Sequence, residues 1–402
     1  MLKISREDGF TLAEMLVSTT IVMLVMAGAL TTVRNAVTIN DAAAQLADAN
    51  QNLRAGTNQL IRDLLMAGRI IGTEGISMPT GPGITYARPG PVAMNFSLVT
   101  DTDPTLQLPS ISTGYQLGPV LNGSATDIVT IMTIDEFMPV VTTPPAAPGS
   151  PTLAEGTIAT DGTSVTFAAG SQWIAGDTVA DTPKIEVGDL VLFKGQYGNA
   201  IQTVTRKDAT HIYFDANDAT NDFFHFNQPN ATNQLAGTGR PLASVKQVGT
   251  NLVWPVLCPG PGGTVMTAGS NFCSQVTLFK AVMITYYVDN SNPSTPRLTK
   301  QINHGGCPLC PAKFNPQALA GVVEDLDFTY DLYDGVTNPT ERPTLPYTVG
   351  TTTYTAGMIR KVNVHVGVRS ELLSKPTQDY VRNHISTSVN VRSLAAVDRY
   401  VQ

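Results

Sequence analysis

Glu14 stands at the head of an apolar stretch, Met15 to Val33, that contains no charged residue. A carboxylate at membrane depth costs roughly 2.5–3.5 kcal/mol on insertion scales, so such a group is a functional candidate by default. Its chemistry is attraction to a positive charge, which is strong in a low-dielectric setting, where either charge left alone is costly. A second set with ligand-like spacing is His304-x-x-Cys307-x-x-Cys310, which Cys258 or Cys273 would complete as a zinc site. A firm zinc signal shows two tight pairs, and here Cys258 and Cys273 lie far apart, so metal is the weaker reading. The remaining histidines, His211, His225, His365 and His384, are scattered. There is no His-Glu-x-x-His, no Gly-x-Ser-x-Gly and no phosphate-cradling loop. We therefore expect neither an enzyme nor a cofactor. Asp215, Asn217, Asp218, Asn221 and Asp222 lack the glycine and glutamate of a calcium loop and read as a solvated acidic turn.

The element that must carry Glu14 is one long helix. Phe10 to Val33 is long enough to span ~30 Å of hydrocarbon at about 1.5 Å per residue. From Thr31 to Gly68 there is no proline, and Ile39, Leu46, Leu53 and Leu60 recur on one face, with Ala42, Ala49 and Leu64 beside them. Gln45, Asp48, Gln51, Arg54, Asn58 and Arg62 fall elsewhere, which makes this part amphipathic. The spacing predicts a single helix of ~55–60 residues, on the order of 85 Å long. Its first half is compatible with lipid and its second half packs on a domain. Gly68, Gly72, Gly75 and Pro79 terminate it.

A short leader with Lys3 and Arg6 ends in Gly9, directly before Phe10-Thr11-Leu12-Ala13-Glu14. This resembles the class III signal of type IV prepilins, departing from the commonest pattern only at Ala13 and Met15, where bulkier apolar residues are usual. The resemblance implies cleavage between Gly9 and Phe10 by a prepilin peptidase and N-methylation of Phe10. It also implies that Glu14 neutralises the terminal amine of a neighbouring subunit during filament assembly. Two plainer readings compete. One is a secretory signal peptide with Ala27-Gly28-Ala29 as its cleavage site, and the other is a simple membrane anchor. Neither accounts for Glu14, and removal of a signal peptide leaves the continuous helix unexplained.

Composition narrows the rest. Of 402 residues only 14% are charged, and the formal net charge is −7. With no basic stripe there is no clear nucleic-acid groove. The body is rich in Thr, Gly, Pro, Asn and Val, which favours strands and loops. Residues 73–125 read as irregular, Asp127–Ile134 as a strand, and a proline-rich loop sits near 139–156. Val165–Phe167, Leu190–Phe193, Ile201–Thr205 and His211–Phe214 read as one small meander. Residues 276–302 read as a hairpin turning at Asp289–Pro293. Ala320–Tyr330, Val362–Val368 and Ile385–Val391 supply the last strands, with Asp325, Asp327, Asp331 and His365 on a polar face. The hairpin, the Gly321-to-Tyr330 strand and the Gly188-Asp189-Leu190-Val191-Leu192 turn-strand are similar to PilW-type minor pilins.

The expected organisation is α+β: a leader at 1–9, a membrane helix at 10–33, its amphipathic continuation at 34–70 and a β-rich, mainly antiparallel head at 71–402. The resemblance implies a type IV pilus subunit held in the bacterial inner membrane with its head in the periplasm, then carried to the cell surface. Its partners are the peptidase, other major and minor pilins, the inner-membrane assembly machinery and the bilayer. An exported head meets an oxidising compartment, where Cys258–Cys273 and Cys307–Cys310 are the favoured disulfides. Closing the first loop contributes ~3 kcal/mol in the chain-entropy view. Two rival functions share the anchor: a type II secretion pseudopilin, and a membrane-anchored periplasmic domain that binds a ligand or holds a metal.

Overall fold

The computed structural model describes residues 11–71, 75–77, 85–90, 97–100, 107–135, 138, 141–142, 152–153, 156–158, 163–168, 171–174, 185–195, 198–215, 218, 220–227, 277–303, 314–373 and 379–391. Gly9, Phe10, Asn217, Cys258, Cys273, His304, Cys307, Cys310 and the centre of the proline-rich loop, for which the sequence raised expectations, lie outside these residues.

One unbroken helix, α1, runs Leu12–Met66. It stops four residues short of the expected boundary at 70 because the chain is captured there. The Gly68 amide donates to the Met132 carbonyl at 2.9 Å, and the Thr133 hydroxyl donates to the Met66 carbonyl at 2.9 Å. Gly68 then takes φ +72°, a conformation glycine adopts without cost.

The head is built on a ten-stranded sheet whose described pairings are all antiparallel. Its main strands are β1 (Ile111–Gly114), β2 (Ile128–Ile134), β3 (Leu190–Gly195), β4 (Gly198–Thr203), β5 (Thr277–Asp289), β6 (Arg297–Ile302), β7 (Gln317–Leu332), β8 (Ile359–Leu373) and β9 (Tyr380–Asn390). The order is β4-β3-β5-β6-β7-β8-β9, and β2 pairs with β5 and with β1. The expected hairpin is β5 and β6, with Ile284 opposite Ile302. The valine alternation of β8 places Val362, Val364 and Val366 opposite Tyr330, Phe328 and Leu326 of β7.

Two expectations are corrected. The stretch called irregular contains β1 and several two- to four-residue strands, too short to show periodicity. The single meander is split. Ser164–Phe167 and His211–Tyr213 join Thr152–Leu153, Gly156–Ile158 and Arg206–Lys207 in a separate five-stranded sheet, whereas β3 and β4 belong to the large sheet. The reason lies in β3, where Leu190, Val191, Leu192 and Phe193 are all buried. Val191 and Phe193 serve a core with Val165, Trp173 and Phe214, while Leu190 and Leu192 serve one with Met132, Phe224 and Met283. A strand that is apolar on both faces must sit between two cores.

The third core joins α1 to the sheet. Leu53, Leu60 and Leu64 are fully buried with Leu298, Val323, Leu326, Phe328, Val364 and Val366. Gly56 permits the close approach, since a Cβ there meets the Ala320 Cβ at 3.1 Å and the Leu298 Cδ2 at 3.4 Å. Asp63 is buried within the contact. Its Oδ2 accepts from Lys300 Nζ and from the Tyr286 hydroxyl, each at 2.5 Å, and its Oδ1 accepts from Gln59 at 3.2 Å. Burial, then the Asp63 charge, raises the Tyr286 pKa, so the phenol keeps its proton and donates. Removing one member of a buried ion pair leaves the other charge uncompensated. Asp63→Ala is expected to destabilise the detergent-extracted protein by about 3–5 kcal/mol, and Gly56→Leu by about 1–3 kcal/mol through overpacking. Denaturant unfolding reads both, and a loss within experimental error for Asp63→Ala would show the network to be idle.

Candidate functional site

The site is the exposed N-terminal half of α1, together with the seam at which its C-terminal half enters the head. Thr11 is the N-cap of α1, and with Glu14 it forms a reciprocal capping box. The Thr11 amide and hydroxyl each donate to Glu14 Oε2 at 3.0 Å, and the Glu14 amide donates to Thr11 Oγ1 at 3.3 Å. The carboxylate therefore sits at the positive end of the helix dipole, where negative charge is favoured. Sequence reasoning assigned Glu14 to an intermolecular partner and missed this local one, although Thr-x-x-Glu before an apolar run is the signal for it.

Behind the cap the helix is apolar and bare. Leu12, Met23, Leu24 and Leu30 are 83%, 72%, 72% and 69% exposed. The most apolar window of α1 has no residue buried by the rest of the chain. Every hydroxyl described in this stretch returns to its own helix. Ser18 and Thr19 donate to the Met15 carbonyl, Thr20 to Leu16, and Thr31 and Thr32 to Gly28, at 2.7–3.0 Å. Such back-bonding leaves no polar group for lipid to solvate. The segment is thus fit for a bilayer or for the apolar flanks of other helices, and unfit for water.

Arg34, the first charge after the run, precedes a more polar stretch that meets the head at Gln45, in a polar groove, and reaches its core at Ala49. That is about 15 residues, or roughly 22 Å of helix. The seven-residue stripe is consequently divided. Leu53 and Leu60 are fully buried, but Ile39 and Leu46 are 67% and 38% exposed. Where the helix meets the head, Gln45, Asp48, Arg297, Arg369 and Glu371 line an open polar groove of about 430 Å³. Asn50 on α1 accepts from Asn383 on β9 beside it.

The far face of β7, β8 and β9 is polar, as expected. Asp325, Asp327, Asp331 and His365 all lie on it, and none is buried. His365 Nε2 lies 3.6 Å from Asp325 Oδ2, and its ring is 5.5 Å from that of His384. Partial burial, then the Asp325 and Asp127 charges, push the Asp327 carboxyl up to about 6, with His365 opposing. Asp127, fully buried at the start of β2, is also raised by desolvation, although Gln116 and Phe328 amides donate to it at 2.7 and 2.9 Å. The Asp215–Asp222 segment departs from its reading as a solvated turn. Asp222 is 1% exposed and accepts the amides of Phe226 and Asn227 at 3.1 and 2.8 Å. Its carboxylate organises the turn below Phe224 and Phe226, which an isolated run of acidic letters does not reveal.

With this geometry in place, comparison with known families is informative at one end of the chain. The family described as the prokaryotic N-terminal methylation motif matches residues 4–30. No curated protein and no solved structure matches the chain. The motif supports a type IV pilin-like or pseudopilin-like subunit. Together with the apolar helix it fits a membrane-anchored chain, and it is consistent with cleavage by a prepilin peptidase and association with other pilins.

The acidic face of β7 makes stability depend on pH. A carboxyl whose folded pKa exceeds its unfolded value holds its proton more tightly when folded, so ionisation costs stability. For Asp327 that cost is absent at acidic pH and grows as pH rises from 3.8 to about 6. Asp327→Asn is expected to raise the melting temperature by a few degrees at neutral pH and to leave it unchanged near pH 4. Thermal melts across that range check it, and a gain of equal size at every pH would point to packing instead.

Proposed function

We propose that this chain is a minor pilin of the PilW type, a non-catalytic subunit stored in the bacterial inner membrane and incorporated into a type IV pilus. The observation that carries the proposal is the bare apolar helix headed by the Thr11–Glu14 box and standing free of a large head. A helix the chain does not cover is one that lipid covers first and other helices cover later. In this reading the peptidase cuts between Gly9 and Phe10, and the Phe10 amine is methylated. That amine, on one subunit, then replaces the Thr11 donors at the Glu14 carboxylate of another. Glu14 is well placed for such an exchange because its partners are exposed and local.

The head supports a place at the tip or base of the filament. It occupies the chain beyond residue 70, and a body of that bulk is hard to repeat at every position of a helical array. We assign it a role in priming or capping assembly, in support of pilus-dependent motility, adhesion or DNA uptake. Among the partners are other major and minor pilins along α1 and the inner-membrane assembly machinery. The favoured disulfides, Cys258–Cys273 and Cys307–Cys310, belong to this proposal as staples of an exported head.

The test begins with the N-terminus and intact mass of the membrane-extracted protein. We expect a chain that starts at N-methylated Phe10. Glu14→Ala, as the sole copy, is expected to be processed normally but to be absent from sheared filaments and to abolish piliation. Normal piliation by that variant would overturn the assembly role. A chain that starts at Leu30, or remains intact from Met1, would replace the pilin reading with a secreted or merely anchored domain.

A further inference from the structure

A buried lysine meets two carboxylates in the head, and nothing in the assembly role uses them. Lys280, on β5, is 3% exposed. Its Nζ lies 2.9 Å from Asp189 Oδ2 and 3.7 Å from Asp135 Oδ2, and the Asp189 side chain is 1% exposed. Each member is held by backbone. Gly188, at φ +88°, turns the chain into β3, and the Val204 amide donates to the Asp189 carbonyl at 2.8 Å. The Glu186 amide donates to Asp189 Oδ2 at 2.7 Å. The Asp135 amide donates to the Lys280 carbonyl at 2.8 Å, which secures the second carboxylate beside the amine. Val191, directly opposite Lys280 in the strand register, and Leu278, two residues along β5, belong to the apolar core that includes Met138 and Val204.

We propose that Lys280 and Asp189 condense into an intramolecular isopeptide bond, with Asp135 carrying the proton. Three features make this chemistry accessible. Lys280 and the Asp189 side chain are 3% and 1% exposed, so little water is present to compete with the amine or to reverse the condensation. Strand pairing holds nucleophile and electrophile in contact, which removes the entropy of bringing them together. A second carboxylate within reach supplies general acid–base catalysis.

The step balances without any further reactant. Asp135 accepts a proton from the Lys280 ammonium and passes it to a carboxyl oxygen of Asp189. The neutral amine attacks Asp189 Cγ and forms the N–C bond. The nitrogen's second proton passes through Asp135 to the hydroxyl on Cγ, the C–O bond to that oxygen breaks, and one water leaves. One ammonium and one carboxylate become one neutral amide, and Asp135 returns to its starting charge.

A control lies in the same molecule. Lys300 and Asp63 are closer, at 2.5 Å, but Asp63 is held as an acceptor by Tyr286 and Gln59. Among the described residues no second carboxylate forms an ion pair with Lys300. This pair therefore lacks the third group that Asp135 supplies at Lys280, and it is expected not to condense. The bond at Lys280 would instead tie β3 to β5 covalently, across the sheet that bears the head's two outer cores.

The experiment is peptide mapping with tandem mass spectrometry of the full-length, detergent-extracted protein after reduction. We expect a branched peptide containing Lys280 and Asp189, lighter by one water than its two components, and linear peptides for Lys300 and Asp63. Recovery of only linear, full-mass peptides for Lys280 and Asp189 would overturn the proposal and leave an ion pair. Lys280→Arg, which keeps the charge but cannot condense in this way, is expected to remove the branch. Asp135→Asn is expected to abolish or strongly slow its formation. A branch formed as completely in Asp135→Asn would overturn the role given to Asp135. Should that variant not fold, the wild-type and Lys280→Arg maps still decide whether the bond exists.

Discussion

The rest of the molecule depends on the contact between the last four turns of α1 and the apolar face of β6, β7, β8 and β9. Burial of Leu53, Leu60 and Leu64 supplies the bulk of the attraction, but apolar packing alone permits sliding. Gly56 and Asp63 restrict it. The first allows the helix to approach until it touches Ala320, and the second meets Lys300 and Tyr286 in only one register. The backbone bonds from Gly68 and Thr133 then end the helix against β2. The direction in which the free half of α1 leaves the head follows from these contacts, because a continuous helix transmits the orientation of its docked end.

That free half is the opposite physical case. Among the described residues it has no apolar partner, yet all its described hydroxyls are internally bonded and its single carboxylate is capped. The segment is complete as a helix and incomplete as a surface. Such a state suits a segment that passes from one apolar environment to another, since none of the hydroxyl bonds behind the cap must be rearranged during transfer. The more polar stretch between Arg34 and Gln45 separates the two regimes.

The head resolves a different problem. Its strands carry more apolar surface than one sheet face can bury, and β3 shows the solution: four consecutive buried side chains serve two cores in alternation. The same arrangement drives polar groups inside. Lys280 and Asp189 are buried, with half-buried Asp135 beside them, because the end of β2 and the start of β3 converge on β5. Buried polar groups of this kind are held in one geometry, which is the condition for chemistry between them.

Much of this was legible in the letters. The absence of proline, the apolar run and the seven-residue stripe determined a single long helix. The residues around Gly9, Phe10 and Glu14 marked the stretch that matches the N-terminal methylation motif, and the valine alternation of β8 located a strand and its polar face. These are local signals, because helix and strand periods are written within a dozen residues. The tertiary structure decided what depends on residues far apart. It divided the stripe into buried Leu53 and Leu60 and exposed Ile39 and Leu46, since only docking determines where the head begins. It split the expected meander between two sheets, buried Asp222, and brought Lys280 to Asp189. Long-range pairing and burial are properties of the closed chain, and no local pattern encodes which neighbour a side chain will meet.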